Sequence, residues 1–357
     1  MGCIVMLMRK HRGLFLKQPR LLVLEEVPTP TPTREAVLIK VLSAGICHSD
    51  IHRWKGEMPC PEGFEAGAGT HEVVGKVEER GEMVPEYIKE GQKVLVYFLR
   101  NYREEDKYTR RGLAHHAKTP IFIGGMQEYV LVPTYHCLIS IENLRDIHAA
   151  PPLACAALTS YGAVKKLKSY VEPDDYVAII GLGGLGSYAV QWLRILFPYV
   201  NLIGIDVKDE ALNFAAKFAK IDVLINAAKE DPAKIINEVT RNDGVKAFID
   251  FVGSTGTINT YIKMLSHLGI YVVVGTMGKE VILPVLHTLI AKEFCLQGSF
   301  MGSIQDQYEI VEFARRGLLN YSDVVTRRLK FDPVEVNRAY QDLDEGRVLG
   351  RQVVIFE

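Results

Sequence analysis

Residues 176–186 read YVAIIGLGGLG, and this stretch decides the fold of the second half of the chain. Its first five residues form a continuous apolar run, typical of a buried strand, and residues 187–196 predict a helix. The glycines between them fit a G-x-G-x-x-G pattern. In such a strand–turn–helix, Gly181 makes the tight turn, Gly183 lets the backbone approach a pyrophosphate, and Gly186 allows close packing of helix on strand. The helix N-terminus then offers unpaired N–H groups to the anion.

An acidic residue follows at the spacing that ribose recognition requires. Asp206 lies 20 residues beyond Gly186, at the end of the next predicted strand, Asn201–Asp206. Its carboxylate would accept hydrogen bonds from the adenosine ribose and repel a 2′-phosphate, so the sequence favours NAD over NADP. The alternative is a turn that needs glycine only for its own geometry, with Asp206 as a helix cap.

Strands and helices continue to alternate up to about Phe294. Further strands are predicted at Val223–Ile225, Ala247–Phe251 and Ile270–Val274, and helices at Asp209–Lys220 and Pro232–Thr240. This alternation implies βαβ units and a parallel sheet, so the fold class is α/β with a Rossmann domain.

The first third of the chain has a different pattern. Short β-branched or aromatic runs, such as Ala36–Val41 and Lys93–Phe98, lie between prolines, glycines and charged residues. They predict an irregular, mainly β domain with long loops. The C-terminal strand, Gln352–Phe356, cannot be assigned to either domain by its pattern alone.

The composition is that of a globular protein without a surplus of either charge. The chain has 357 residues, 42 basic and 43 acidic, with a formal net charge of −1. The length predicts two domains. The charge balance argues against nucleic acid as a partner, because proteins that bind it carry a basic surplus. One basic cluster, interrupted by acidic residues 104–106, is typical of a solvated lobe. Its members are Arg100, Arg103, Lys107, Arg110, Arg111, His115, His116 and Lys118.

Cysteine use and apolar runs favour a cytoplasmic location. The six cysteines include no C-x-x-C pair and do not form a disulfide framework. No apolar run reaches the roughly 20 residues that span a bilayer. The short opening apolar stretch is followed, not preceded, by Arg9 and Lys10, which argues against a signal peptide. Met6 stands where a myristoylation motif needs Ser or Thr.

Three short segments concentrate residues that could bind a metal. Residues 45–52 read GICHSDIH, residues 69–75 read GTHEVVG, and Cys155 lies within PPLACAALT. Thiolate and imidazole are natural zinc ligands, and two cysteines with one histidine leave a fourth tetrahedral position open. Spacing alone leaves the alternatives open. A single buried cysteine such as Cys155 is commonly a small core residue, and a lone histidine is commonly structural.

Together with the glycine pattern, these segments resemble the zinc-dependent medium-chain alcohol dehydrogenases. The resemblance runs from about Gly13 to Glu357 and includes VPTP at 27–30, DFVGS at 250–254 and GRVLGR at 346–351. It implies a mainly β, GroES-like catalytic domain at residues 1–156 and 294–357. It further implies a Rossmann dinucleotide-binding domain at residues 157–293.

The resemblance also implies a catalytic zinc site. Cys47, His71 and Cys155 match the zinc ligands. Glu72 matches a neighbouring carboxylate that can approach the metal. Asp50 matches the acid that orients the liganding histidine.

Further roles are implied for residues that contact the proton, the cofactor and the substrate. Ser49 and His52 match the hydroxyl and the imidazole of a proton relay. His48 and Arg351 match contacts to the cofactor phosphates. The expected substrate-pocket residues are Trp54, Met58 and Phe98.

Two departures from the family pattern matter. Thr70 stands where the family usually has glycine before the liganding histidine, so we expect the local backbone to differ there. Many members also hold a second, structural zinc on four closely spaced cysteines, whereas residues 99–120 contain no cysteine. We therefore expect one catalytic zinc per chain and no structural zinc.

The implied activity is reversible oxidation of an alcohol to an aldehyde or ketone, by hydride transfer to NAD. The nearest alternative is a polyol or amino-alcohol dehydrogenase, and Cys155 as third ligand favours a simple alcohol. The set of Cys47, His71 and Cys155, together with Asp206, argues against a metal-free NADPH-dependent quinone or enone reductase. Retention of both the ligands and the relay argues against a non-catalytic NAD-binding or structural protein. The resemblance implies a homodimer or homotetramer.

Overall fold

The computed structural model describes residues 9–57, 69–99, 102–117, 121, 124–278, 280–283 and 285–356, without the side chains of 286–288. These residues form two compact units. The first unit contains the described residues up to Cys155, together with Gln307–Val311 and the residues from Val325 onward. The second unit contains Ala156–Asp306 and Glu312–Val324.

The regular elements follow in chain order. The first unit begins with β1 (Lys10–Gln18), β2 (Leu21–Pro28), β3 (Val37–Gly45), α1 (His48–Trp54), β4 (Val73–Arg80), β5 (Lys93–Val96), β6 (Tyr129–Val132) and β7 (Leu138–Ser140). There follow α2 (Ala156–Lys165), β8 (Tyr176–Ile180), α3 (Gly186–Leu196), β9 (Asn201–Asp206), α4 (Asp209–Ala215), β10 (Val223–Asn226), α5 (Pro232–Val239), β11 (Val245–Asp250), α6 (Thr255–Tyr261), β12 (Leu265–Val273), β13 (Cys295–Gly298) and α7 (Ile304–Arg315). The chain ends with β14 (Val325–Lys330), α8 (Pro333–Asp344) and β15 (Arg351–Ile355). Short 3-10 helices occur at Thr109–Arg111, Ala114–His116, Tyr135–Cys137, Ile147–Ala149, Pro151–Ala154, Lys166–Ser169 and Ile262–Met264, and a π-helix at Val285–Ile290.

The second unit is built on a six-stranded parallel sheet. Its order is β10-β9-β8-β11-β12-β13, and every neighbouring pair is parallel. Numbered along the chain, this is the order 3-2-1-4-5-6 of the Rossmann fold. The predicted α/β fold class is confirmed. The central strands β8 and β11 are almost wholly buried, which explains their continuous apolar runs.

Two sequence-based expectations differ from the structure in this unit. The helix predicted to reach Lys220 ends at Ala215, because Lys217 and Phe218 bond to carbonyls three residues back and tighten the chain into turns. The strand β13 lies beyond the predicted boundary at residue 293, yet it pairs with β12. As a mostly exposed edge strand, β13 lacks the apolar run that would have revealed it.

The first unit holds a seven-stranded sheet with the order β14-β15-β3-β4-β5-β7, and β6 pairs with β3 beside this path. The C-terminal strand β15 pairs antiparallel with β3 and parallel with β14. Strands β1 and β2 form a separate antiparallel hairpin. Strands β3 and β4 are antiparallel neighbours, so the end of one meets the start of the other. The candidate site lies at this junction.

Candidate metal centre and cofactor loop

Four potential metal ligands from three segments converge inside the first unit. The Sγ atoms of Cys47 and Cys155, a ring nitrogen of His71 and a carboxylate oxygen of Glu72 all lie within 4.8 Å of one another. None of these residues is more than 7% exposed. The structure therefore brings together the four residues that the sequence singled out, including two cysteines 108 positions apart.

Strand pairing explains this convergence. The Gly45 N–H, at the end of β3, donates to the Glu72 carbonyl at 2.9 Å. A side chain at Gly45 would overlap the Glu72 carboxylate, so this approach requires glycine. Cys47 caps the N-terminus of α1, and His71 lies just before β4. Cys155 follows the 3-10 helix Pro151–Ala154 in the same unit.

The two thiols form a polarised pair. The Sγ atoms of Cys47 and Cys155 lie 3.8 Å apart. A hydrogen bond from the Cys155 thiol, aided by the nearby charges of His71 and Arg351, holds the pKa of Cys47 well below its ordinary value despite burial. The partner thiol shows the opposite shift, because donation to Cys47 and burial raise the pKa of Cys155. The lowered pKa favours the thiolate form of Cys47, which is the form that binds a cation.

The imidazole of His71 faces a buried carboxylate. Its Nδ1 lies 3.6 Å from Asp50 Oδ1, and the other oxygen, Oδ2, accepts the Cys47 N–H at 2.9 Å. Burial alone would lower the pKa of His71, but Asp50 and Cys47 raise it to about 10. Asp50 thus touches the first cysteine and faces the histidine, the placement expected of a residue that orients metal ligands.

Glu72 forms a buried ion pair. One carboxylate oxygen, Oε1, accepts a hydrogen bond from the guanidinium of Arg351, the first residue of β15. The other oxygen, Oε2, is buried and has no hydrogen-bond partner among the described residues. Burial raises the pKa of Glu72 against the opposing charge of Arg351. The contact of Arg351 with a cofactor phosphate stays a prediction.

The donor set fits zinc. Two thiolates and an imidazole are ligand types of catalytic zinc sites, where the fourth position takes water or substrate. Among the described residues Oε2 of Glu72 has no hydrogen-bond partner, and a nearby cation would stabilise it, since a buried polar atom without a partner is costly. Cys47, His71 and Cys155 are therefore the residues that could hold the ion, with Glu72 beside them.

The expected proton relay lies on α1. The Ser49 hydroxyl is buried and has no hydrogen-bond partner among the described residues. His52 lies one turn further along, and its ring centroid is 5.5 Å from that of the exposed His48. The helix thus carries both relay residues directly after Cys47. Their roles, and that of His48 toward a phosphate, stay predictions.

The expected pocket residues have different surroundings. Trp54 is buried in the first unit, with its ring 5.9 Å from that of Tyr340 and the Arg20 guanidinium 5.1 Å from its ring centroid. Phe98 is fully buried beside Tyr97, at a ring distance of 4.6 Å. Met58 lies outside the described residues. Their part in a substrate pocket stays a prediction.

The glycine pattern of the second unit has the geometry that a pyrophosphate requires. Gly181 has a φ of +86°, a left-handed value that favours glycine. A side chain at Gly186 would overlap the carbonyl of Gly181, whereas one at Gly183 would meet no atom within 4 Å. The helix α3 begins at Gly186 without a side-chain cap. Open space beside Gly183 and an uncapped helix N-terminus fit a dinucleotide phosphate.

Asp206 is tied to this loop. Its Oδ2 accepts the Leu182 N–H at 2.8 Å, and its Oδ1 accepts the N–H groups of Val207 and Lys208 at 2.7 and 3.0 Å. These bonds place the carboxylate at the end of β9, beside the glycine loop. Asp250, at the end of β11, similarly accepts the N–H groups of residues 252 and 253.

Sequence reasoning missed three residues around these sites. Arg53 lies 3.5 Å from Asp50 Oδ1. Tyr340 is buried on α8, with its hydroxyl unpartnered among the described residues. Glu57 contacts His52 at 2.7 Å. Only Glu57 had a local signal, because Gly56 predicts the end of a helix and a return of the chain.

Surface features agree with the composition. In the basic lobe, Arg103, Lys107, Arg110 and Arg111 are exposed, as a solvated lobe requires. Arg100 and Lys118 lie outside the described residues. Within the described part of the chain, none of the helices has the length and apolar character needed to cross a bilayer.

Comparison with known proteins identifies both parts of the chain. Residues 33–143 match the family described as alcohol dehydrogenase GroES-like domain. Residues 184–316 match the family described as zinc-binding dehydrogenase.

Individual relatives match over nearly the full length. An NAD-dependent alcohol dehydrogenase of Sulfurisphaera tokodaii is 34% identical, over 98% of this chain and 100% of the relative. A D-arabinose 1-dehydrogenase (NADP(+)) of Saccharolobus solfataricus is 31% identical, over 98% of this chain and 99% of the relative. Among solved structures, the alcohol dehydrogenase of Aeropyrum pernix has a TM-score of 0.84 and 30% identity, over 97% of this chain and 100% of that one.

Proposed function

The chain belongs to the zinc-dependent medium-chain alcohol dehydrogenase family, and from this premise we propose that it reversibly oxidises an alcohol to an aldehyde or ketone, with NAD as hydride acceptor. The observation that carries this proposal is the convergence of two thiols, an imidazole and a carboxylate within 4.8 Å. The glycine loop of the second unit supplies the matching feature for the cofactor.

Cys47, His71 and Cys155 would hold the zinc ion. When bound, zinc supplies positive charge that lowers the pKa of an alcohol hydroxyl. Asp50 would orient the liganding imidazole, and burial of the four residues would exclude water. Arg351 would balance the charge of Glu72.

Ser49 and His52 would move the proton. The Ser49 hydroxyl, which has no hydrogen-bond partner in the described part of the chain, could accept a hydrogen bond from the alcohol and pass its proton on. His52 would take up the proton in turn and release it to solvent. His52 is partly exposed, as the last group before solvent must be.

We further propose NAD rather than NADP as the cofactor. The Asp206 carboxylate, beside the glycine loop, would accept the ribose hydroxyls and repel a 2′-phosphate. The relative from Saccharolobus solfataricus that oxidises D-arabinose uses NADP(+), so the choice has to be tested for this chain.

One zinc per chain is part of the proposal. The structural zinc of many family members needs four cysteines, and residues 99–120 contain none. The exposed basic lobe in this region would then hold its shape without a metal. Asp106 supports this idea, since its Oδ1 accepts the N–H groups of Tyr108 and Thr109.

We propose a homodimer or homotetramer as the assembly. In the second unit several large apolar side chains are exposed, and among the described residues the edge strand β13 pairs only with β12. Exposed apolar surface and open sheet edges mark sites of association. The exposed side chains are Met277, Ile282, Val285, Ile290 and Phe300. Analytical ultracentrifugation would show a species of at least two chains, and a monomer would contradict this part of the proposal.

A substrate panel tests the proposed activity. Primary, secondary and cyclic alcohols, a polyol and D-arabinose would each be offered with NAD and with NADP, and reduced cofactor would be followed at its absorbance band. We expect turnover of an apolar alcohol with NAD. Turnover confined to the polyol or to D-arabinose would favour the alternative sugar-oxidising function, and turnover with neither cofactor would reject the dehydrogenase.

A further inference from the structure

A carboxylate that no motif pointed to contacts the relay histidine. His52 Nδ1 and Glu57 Oε2 lie 2.7 Å apart, a short distance for a hydrogen bond between nitrogen and oxygen. His52 is on α1, and Glu57 follows the helix. Both side chains are partly exposed, and they lie in the same short segment of the chain as Cys47.

The backbone sets this contact. The Glu57 N–H donates to the His52 carbonyl at 2.8 Å, and the Gly56 N–H donates to the Arg53 carbonyl at 2.9 Å. These two bonds form a Schellman motif, which closes a helix through a residue in the left-handed region. Gly56 occupies that position with a φ of +79°. The turn therefore brings Glu57 back next to His52. The backbone, and not only two flexible side chains, holds the two residues together.

A second contact braces the carboxylate. The other oxygen, Oε1, lies 2.8 Å from Lys55 Nζ. Lys55 in turn lies 3.2 Å from Asp344, which also contacts Arg20. Lys55 and His52 together lower the pKa of Glu57 to about 2, so the group is a carboxylate at neutral pH.

Building on the proposed function, we propose that Glu57 is a positioning residue of the proton relay. Neutral imidazole carries its proton on one nitrogen and accepts on the other, and the partner of one nitrogen decides the role of the second. Glu57 accepts a hydrogen bond from Nδ1–H and so holds His52 in the Nδ1–H tautomer. The Nε2 lone pair is then available to receive a proton.

The proton balance follows directly. The proton lost by the alcohol hydroxyl reaches Nε2, where an N–H bond forms, while the carbinol hydrogen leaves with its electron pair to NAD. The resulting imidazolium is stabilised by the unchanged charge of Glu57, as in other carboxylate–histidine pairs. Nε2 then releases its proton to water. The neighbouring titratable groups are His48, at a ring distance of 5.5 Å from His52, and Lys55 and Asp344 behind Glu57.

The tautomer of His52 is the first test, and it does not depend on turnover. Nitrogen NMR of the zinc-loaded protein with labelled histidine would be assigned by comparison with H52N. Neutral His52 in the wild type should carry its proton on Nδ1. In E57A it should change to the Nε2–H form that free imidazole side chains prefer. D344N removes a carboxylate from the same cluster without touching His52, and it should leave the tautomer unchanged.

A double-mutant cycle is the second test. E57A should lower kcat for alcohol oxidation about tenfold, a fraction of what a relay contributes, with KM changed less than threefold. In the H52N background, E57A should lower kcat less than twofold, because the group it acts through is gone.

The outcomes separate this inference from the proposed function. A wild-type His52 protonated on Nε2, or a tautomer unaffected by E57A, would overturn the positioning role even in an active enzyme. An equal loss of kcat on introducing E57A into the wild type and into H52N would also overturn the positioning role and indicate a structural one. A protein that oxidises no alcohol with NAD would reject the proposed function, while the NMR result would still decide the pairing.

Discussion

The metal centre of the first unit and the cofactor loop of the second are built in opposite ways. The metal centre consists of side chains from distant segments, Cys47 and Cys155 being 108 positions apart, and it holds several buried charges. The cofactor loop consists of backbone from one short stretch, with glycines that remove side chains. One site depends on the tertiary fold, whereas the other is almost complete in its local sequence.

This difference has an energetic side. Burying Glu72 and Arg351 together carries a desolvation cost that opposes the attraction between the two charges. The unpartnered Oε2 of Glu72 adds to the cost. The glycine loop buries no comparable charge, and its cost is the conformational freedom that glycine loses. Substitutions in the first unit should therefore change metal binding and the rate of catalysis. Substitutions in the second unit should change packing or the affinity for the cofactor.

The largest effect should come from C47A. Loss of one thiolate should remove the metal and lower kcat by about 10³-fold or more, because several kcal/mol of charge stabilisation are lost. NAD binding should persist, since the glycine loop lies in the second unit. Zinc content, turnover and NADH fluorescence titration measure the three quantities.

C137A is the matched control for this substitution. Cys137 is equally buried, but burial raises the pKa of its thiol to about 12, so it remains a neutral core group. C137A should keep its zinc and most of its activity. Loss of zinc in C137A, or retention in C47A, would contradict the assignment of the metal centre.

A smaller effect is expected from D50N. The amide keeps the shape of Asp50 but loses its charge, and it keeps only one of the two oxygens that serve the Cys47 N–H and face His71. Zinc affinity, measured by competition with a chelator, should fall about 10- to 100-fold. Unchanged affinity would mean that Asp50 serves packing and not the metal.

Two alanine substitutions in the cofactor loop should separate packing from binding. G186A would overlap the Gly181 carbonyl and should lower the free energy of unfolding of the protein by about 2 kcal/mol. G183A meets open space and should leave that free energy within about 0.5 kcal/mol. Its methyl group should instead weaken NADH binding about tenfold, because it occupies the path of the pyrophosphate. Denaturant unfolding and NADH titration of both variants measure these effects. A large stability loss in G183A, with an unchanged stability in G186A, would contradict the roles of these glycines.

The smallest effect concerns the choice of cofactor. D206N removes the charge expected to repel a 2′-phosphate, and the ratio of kcat/KM for NAD over NADP should fall about fivefold, corresponding to about 1 kcal/mol. Kinetics with both cofactors measure this ratio. A wild type that already prefers NADP would refute the role given to Asp206.

The same contrast explains what the sequence could predict. The strands Tyr176–Ile180 and Asn201–Asp206 have the predicted bounds, and α3 begins one residue before its predicted start. Local periodicity and glycine geometry determine these elements, so a single sequence is enough to predict them. The parallel sheet and the α/β fold class followed from the same patterns.

The metal centre could not be derived in this way. No local rule links Cys47 to Cys155, and only the family resemblance grouped them before the structure did. Arg53 and Tyr340 gave no signal, since their place near Asp50 and Trp54 depends on packing. The edge strand β13 was missed because its exposed residues carry no apolar pattern.

Zinc content per chain tests the central claim most directly. Elemental analysis of the purified wild type should give one zinc per chain, and C47A should give none. Two zinc ions per chain in the wild type would contradict the single-metal account, and a full zinc complement in C47A would contradict the site at Cys47, His71 and Cys155.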